Sequence, residues 1–305
     1  VGHGTFIAGI IAAQQNNRGI VGTTWTTRYL PLKVADGAGR IDFAATLDAY
    51  RYIELLRRRG VNVRVANLSF GGNGPPDPIE EDALRRLSDA GVVLAVAAGN
   101  EAANNDIVNI YPANYRLPGL ITVAAADPNG SISAFSNYGR ESVALAAPGG
   151  LIYSTLPFTI KNTGYDFKDG TSFAAPYVAG VAALMFGVSP SLTNTEVVSR
   201  LKDTARRMPF TRELEVPGLV DALAALTSAS RRSVTVIASV RGIPLPNMTV
   251  AIGEQAPAPS YQTDANGRAR IVVSQGAVTR LFFSKDGFTM SPASVSYTHL
   301  RAHET

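Results

Sequence analysis

Three short motifs hold side chains that together could carry out acyl transfer. The segment DGTSFAAPYVAG, Asp169–Gly180, sets the Ser172 hydroxyl two residues after Gly170, at the head of a stretch crowded with Ala and Gly. Such a stretch reads as a helix able to pack closely and be buried. Ser172 then stands at the helix N-terminus, where free N–H groups and the positive dipole end favour developing negative charge. A bare Gly-Thr-Ser would read equally as a helix cap; the whole twelve-residue string favours a nucleophile. Serine acylation also needs a base, a carboxylate that orients the base, and fixed donors for the oxyanion. His3, in GHGTFIAGIIAA, opens a second small-residue helix and is the base candidate. A lone His at a helix start is also a common structural residue. The chain has 3 His in all, and the other two, His299 and His303, fall in the C-terminal tail. Asn100 follows the apolar run Val92–Ala98 and Gly99. A side-chain amide just beyond a buried strand's C-terminal end lies where α/β sheets bind ligands, although Gly-Asn is also an ordinary turn. A second run ends similarly, in Asn67-Leu68-Ser69-Phe70-Gly71-Gly72, and its glycines would let backbone amides approach a ligand.

Positioning these groups requires strands that end together and helices that start there. Continuous apolar runs at Tyr29–Val34, Val63–Leu68, Val92–Ala97, Leu120–Ala125 and Val143–Ala146 predict strands buried on both faces. Between them, Ile41–Arg59 repeats apolar residues at helical spacing, and Arg57-Arg58-Arg59 suits the negative end of that helix. Asp77–Ala90 predicts a helix closed by Gly91. Thr193-Asn194-Thr195-Glu196 reads as a capping box. This alternation predicts an α/β fold, a mostly parallel sheet with helices on both faces. Beyond about 230 the texture changes. Ser233–Val240, Met248–Ile252, Arg268–Val273 and Thr279–Phe283 are short strand-like runs, separated by turns such as Asp264-Ala265-Asn266-Gly267 and Asp286-Gly287. The expected organisation is therefore 1–229 as the α/β domain, 230–295 as a small all-β sandwich, and 296–305 (SYTHLRAHET) as a non-native tail.

Composition narrows the functional classes. With 46% hydrophobic and 17% charged residues the chain is globular. Its net charge of +4 is scattered, which gives no nucleic-acid footprint. The absence of Cys excludes disulfides, thiolate metal sites and a Cys nucleophile. No apolar run reaches the roughly 18–20 residues that cross a bilayer. The chain opens Val1-Gly2-His3 without an initiator Met, so a fragment is expected and the lack of a signal peptide says nothing. Neither G-x-G-x-x-G nor a Walker motif appears, which excludes the usual nucleotide sites. A lipase-like hydrolase would need G-x-S-x-G and a later His; Gly170-Thr171-Ser172-Phe173-Ala174 does not fit.

The motifs H-G-T-x-x-A-G, N-x-S-x-G-G, A-A-G-N and G-T-S-x-A-A-P-x-V-A-G, in this order, resemble the subtilisin-like serine peptidases (subtilases) from residue 1 to about 226. The resemblance implies a secreted or cell-surface bacterial serine endopeptidase, monomeric, acting on protein or peptide substrates and needing no cofactor for chemistry. Ser172 would be nucleophile, His3 general base and Asn100 oxyanion donor, beside the Ser172 backbone N–H. Ser69, Phe70 and Gly71, with Ala97, Ala98 and Gly99, would flank the substrate side chain in the primary pocket. Gly37 and Gly39 would pair with extended substrate backbone. Ile110, before Tyr111-Pro112, would shorten a pocket floor where relatives carry a small residue, disfavouring large aromatic P1 side chains. The family's catalytic Asp precedes the His and has no position here; Asp36 and Asp42 belong to a different loop. Phe6 and Tyr177 stand where many relatives carry His. The loop Gln14–Ile20 resembles a structural calcium loop, with Asn16 as the side-chain ligand and carbonyls of Gln14, Arg18 and Ile20 beside it; a plain polar turn is the other reading. The C-terminal runs resemble carboxypeptidase-regulatory-like or Cna-B-like modules, as spacer or adhesion unit. The contrasting expectation is an inactive subtilase-like binding or adhesion module.

Overall fold

The computed structural model describes residues 2–208, 216–228, 231–237, 239–240, 243–244, 246–252, 260–274, 278–285, 288–289 and 293–296. The chain divides into two compact units, Val1–Ser228 and Ala229–Thr305.

The first unit is built on a four-stranded parallel sheet. In sheet order the strands are β1 (Val65–Leu68), β3 (Val93–Ala97), β5 (Leu120–Ala126) and β6 (Leu145–Pro148). Strand β3 shows why these runs read as continuously apolar. Val93, Ala95 and Ala97 face one core, with residues of α1 (His3–Ala12), α4 (Thr171–Val188) and α5 (Asn194–Asp203). Leu94 and Val96 face another, with α2 (Phe43–Arg58) and α3 (Pro78–Asp89). Period-two alternation thus buries both faces under helices.

The helix boundaries follow local capping chemistry. Asp42 caps α2 by accepting from Ala45 N, and Asp77 caps α3 by accepting from Ile79 N and Glu80 N. These bonds give Asp42 a structural task. The capping box at Thr193 and Glu196 opens α5, and Arg57 and Arg58 lie in the last turn of α2. Two pairs of short strands flank the sheet's end: β2 (Gly72–Asn73) with β4 (Ile110–Tyr111), and β7 (Ile152–Thr155) with β8 (Tyr165–Lys168). The short helix α6 (Ala222–Thr227) closes the unit.

Two expectations fail here. Tyr29–Val34 is not a strand; Tyr29 and Leu30 are 41% and 45% exposed. An apolar run becomes a buried strand only when neighbours satisfy its backbone, and among the described residues this run joins no ladder. Its neighbourhood closes instead through a bridge between Ala35 and Ile41. Second, α4 is long and apolar enough, by length and composition, to cross a bilayer. Most of it is buried against β1, β3, β5, β6 and α1, so its apolarity serves the protein core.

In the second unit the described residues form strands and no helix. They are β9 (Arg231–Ile237), β10 (Ser239–Val240), β11 (Ile243–Pro244), β12 (Thr249–Ile252), β13 (Ser260–Gln262), β14 (Arg268–Ser274), β15 (Val278–Lys285), β16 (Phe288–Thr289) and β17 (Ala293–Ser296). Their pairings are antiparallel, the largest sheet running β13-β12-β15-β16 with β17 on β15. Met248 and Val250 are buried, as are Ala269 and Ile271 on β14, which pairs with β9 in a separate sheet. Asp264 Oδ1 accepts from Asn266 N and Arg268 N, closing the turn before β14. Asp286-Gly287 and the tail beyond Ser296 lie outside the described residues.

Candidate active site

Strands β1 and β3 run side by side, with Leu68 opposite Val96, so the segments that follow them emerge together at the sheet's C-terminal edge. Helix α4 begins at the same edge. Its cap, Gly170, has φ +152°, a conformation side-chain-bearing residues rarely adopt. This sharp entry puts Thr171 and Ser172 in the first turn, where backbone N–H groups lack helical partners. Ser172 is half-buried, and its hydroxyl donates to Ser69 O at 3.2 Å. Ser69 Oγ in turn donates to Ser172 O at 2.6 Å. The end of β1 and the head of α4 are therefore clasped at the serine.

Asn100 is exposed at the end of the β3 turn. Its Oδ1 accepts from Thr171 N at 2.9 Å and from Thr171 Oγ1 at 3.0 Å. A backbone N–H can only donate, so the amide oxygen must face Thr171. The side-chain NH₂ is then the end left to meet an oxyanion. Thr171 Oγ1 also accepts from Gly99 N at 3.2 Å. Gly99 has φ +112°, and a Cβ there would collide with the Asn137 amide and the Glu101 carboxylate. Thr171 was invisible as a functional residue in the sequence, where it is merely the neighbour of Ser172; its partners lie 71 and 72 positions away.

His3 is the first residue of α1, with an exposed side chain. Its ring lies 5.5 Å, centroid to centroid, from Phe173, the residue after Ser172; Phe173 in turn packs at 4.5 Å on the buried Phe6. Helix α1 is fixed beside the site by β7, where Ser154 Oγ and Thr155 Oγ1 donate to the carbonyls of Phe6 and Thr5. Surrounding protein, and then the positive charge of Lys168, hold the His3 pKa below its ordinary value. The imidazole is thus biased to the neutral form a general base requires. Among the described residues His3 makes no bond to a carboxylate.

The expected pocket residues group around the same edge. Ser69, Ala97, Ala98 and Ile110 are buried, Phe70 and Gly99 half-buried, and Gly71 exposed. Strand β4 pairs Ile110 with Asn73 and Tyr111 with Gly72, and a Cβ on Gly71 would lie 3.5 Å from Ile110 Cγ2. Gly37 and Gly39 lie on an exposed turn organised by Asp36, which accepts from Ala38 N and Arg40 N. Asp36 pairs with Arg40 there and takes no part in the Ser172 cluster. On the Gln14–Ile20 loop Asn16 is exposed and its Oδ1 accepts from Arg18 N at 3.1 Å. The loop carries no carboxylate, so a hard cation would meet neutral oxygens only, a poor fit for calcium. No group of three or more His, Cys, Asp or Glu suited to a metal occurs among the described residues.

The model of the subtilase family (Peptidase_S8) matches residues 1–234. Subtilisin BL of Lederbergia lenta is 36% identical over 226 residues, 73% of this chain and 77% of that one. Subtilisin-like protease 2 of Plasmodium falciparum is 35% identical over 190 residues, 61% of this chain but only 14% of that protein's length. Among solved structures, a protease from Pseudoalteromonas arctica superposes with a TM-score of 0.64 at 32% identity, covering 73% of this chain and 70% of that one.

Proposed function

The chain belongs to the subtilase family, and from that premise we propose that it is a serine endopeptidase in which Ser172 attacks the scissile carbonyl. His3 takes the hydroxyl proton and returns it to the leaving amine. The oxyanion that forms is received by Asn100 Nδ2 and the Ser172 backbone N–H. The observation that carries this reading is the bonding of Asn100 Oδ1 to Thr171, which aims a neutral donor before any substrate arrives. Ser69–Gly71 and Ala97–Gly99 flank the P1 side chain, and Gly37–Gly39 offers backbone to an extended substrate. Buried Ile110, close to Gly71, makes the pocket short, so Ala or Leu at P1 is cleaved better than Phe. A clear preference for Phe among matched peptides would refute that assignment.

The wider proposal is a secreted or cell-surface monomer acting on protein or peptide substrates. Residues 1–229 form the catalytic domain and 230–295 a β-sandwich spacer or adhesion module. The chemistry needs no cofactor. The resemblance puts the carboxylate that orients His3 upstream of it, so the test belongs on the protein expressed from its full reading frame. A fluorophosphonate probe should label that protein, and Ser172→Ala should abolish both labelling and peptide hydrolysis, a loss of at least about 10⁴-fold. Absent labelling, or equal labelling of Ser172→Ala, favours the inactive binding module instead.

A further inference from the structure

The turn that presents Asn100 is bonded along its backbone to the Phe135–Tyr138 segment and contains two residues at positive φ, Gly99 at +112° and Ala102 at +53°. Non-glycine residues rarely hold such a conformation unless their surroundings impose it. Here the surroundings are backbone bonds, Ala102 N donating to Phe135 O at 2.9 Å and Tyr138 N to Ala103 O at 3.0 Å, together with a fully buried side-chain amide, Asn137. Its Oδ1 accepts from Glu101 N at 2.8 Å and from Ala103 N at 3.0 Å, gripping the chain on both sides of Ala102. Its Nδ2 faces Glu101 Oε2 at 2.9 Å, Asn105 Oδ1 at 3.0 Å and Ala98 O at 3.2 Å. The same Glu101 Oε2 accepts from Asn100 N at 2.9 Å, and Asn137 N donates to Gly99 O at 3.0 Å. Every polar atom of this side chain is therefore spent on the turn or on Asn105.

The network continues away from the turn. Asn105, also fully buried, donates through Nδ2 to Ala98 O at 2.8 Å. Its carbonyl accepts from Asn114 Nδ2 at 2.7 Å. Asn114 closes a loop on Ile110, with Ile110 N donating to Asn114 Oδ1 at 3.0 Å and Asn114 N to Ile110 O at 2.8 Å. A chain of three amides thus links the backbone of Asn100 to that of the pocket residue Ile110. Buried networks of this kind stiffen when every member is satisfied.

We infer that Asn137 is a positioning residue, which through Glu101 and the Ala98–Ala103 turn sets the place of the Asn100 amide and, through Asn105 and Asn114, ties it to the Ile110 segment. The inference rests on the peptidase reading above. Asn137 itself touches neither substrate nor nucleophile. Its main effect must appear as a misplaced oxyanion donor, which acts on the transition state and so on kcat, above any smaller change in KM from the pocket wall.

The test is a double-mutant cycle on the protein expressed from its full reading frame, read as kcat and KM on one peptide substrate. Asn137→Asp is isosteric and keeps the acceptor for Glu101 N and Ala103 N, but it loses the donors and sets like charge against Glu101. It should lower kcat by roughly 10- to 100-fold with KM little changed. In an Asn100→Leu background, where the side-chain donor that the turn positions is gone, the same substitution should cost less than about threefold. Glu101→Ala, at an exposed residue, keeps the test open if Asn137→Asp does not fold. It removes the carboxylate shared by Asn137 Nδ2 and Asn100 N, and should lower kcat by about 3- to 10-fold, again only when Asn100 is present. Equal costs in both backgrounds, or a rise in KM alone, would overturn the inference and leave the peptidase reading intact. A wild type without Ser172-dependent hydrolysis would overturn both.

Discussion

On the side proposed to receive the oxyanion, Asn100 and Ser172 sit inside a closed set of bonds. Thr171 holds the Asn100 amide, Ser69 and Ser172 exchange hydroxyl-to-carbonyl bonds, and Asn137 grips the turn from beneath. On the side proposed to supply the base, His3 stands at the first turn of α1 with an exposed ring, held by packing against Phe173 and by the neighbouring β7. The first half is pre-formed within these residues. The second is placed but not oriented by any described hydrogen bond. The difference matches what each must do. An oxyanion donor stabilises best when nothing has to move as charge develops, whereas a base must approach the nucleophile and then turn to the leaving group. In the proposed mechanism the Ser172 hydroxyl, directed at Ser69 O, also has to swing toward His3 before it can be activated.

If the oxyanion half is pre-formed, its loss should appear in kcat. Asn100→Leu removes the donor and should lower kcat by about 10²- to 10³-fold with KM nearly constant. A loss under tenfold, measured by steady-state hydrolysis, would mean that Asn100 does not meet the oxyanion and that the contrast between the halves is empty. Thr171→Val sharpens the point at smaller scale. It deletes the hydroxyl that bridges Gly99 N and Asn100 Oδ1 but leaves the Thr171 N–H in place. The expected fall in kcat is roughly 3- to 10-fold, the worth of one ordinary hydrogen bond. A fall as large as that of Asn100→Leu would show that the hydroxyl alone orients the amide.

The two halves were also unequally legible in the sequence. Ser172, His3 and Asn100 stand out because each lies in a local string of small residues beside a predicted element boundary. Three helices of the first unit were legible too: α2 by its apolar spacing, α3 by its closing Gly91 and α5 by the capping box at Thr193, whereas the caps Asp42 and Asp77 emerge only in the structure. What holds Asn100 was not legible. Thr171 is 71 residues from it, and Asn137 is 36 from Glu101, so no spacing rule connects them. Asn137 reads in sequence as one more polar residue near Gly139. Tyr29–Val34 was misread because apolarity reports what a strand needs on its faces and says nothing of its edges, where pairing decides. Helix α4 was passed over as a possible span because small residues dilute its apolarity, and it is those residues that let it lie in the core.

The smallest effect tests the base half. Lys168 is half-buried at the end of β8, and its charge, after burial, is the next cause lowering the His3 pKa. A lowered pKa keeps imidazole neutral to more acidic pH, so the acid limb of kcat/KM, which reports the free enzyme, is shifted downward by Lys168. Lys168→Ala should move that limb upward, and Lys168→Glu further in the same direction, while activity on the plateau changes little. Whatever carboxylate orients His3, the difference between these variants isolates the lysine. The same sign governs stability: the unfolded chain binds the His3 proton more readily, so folding stability falls as pH drops from about 6.5 toward the lowered folded value. Salt supplies the internal control. Screening a cation near the surface should shrink the difference between the limbs of the wild type and of Lys168→Ala. If the limb is identical in the three proteins, Lys168 does not act on His3, and the base half is tuned by burial alone.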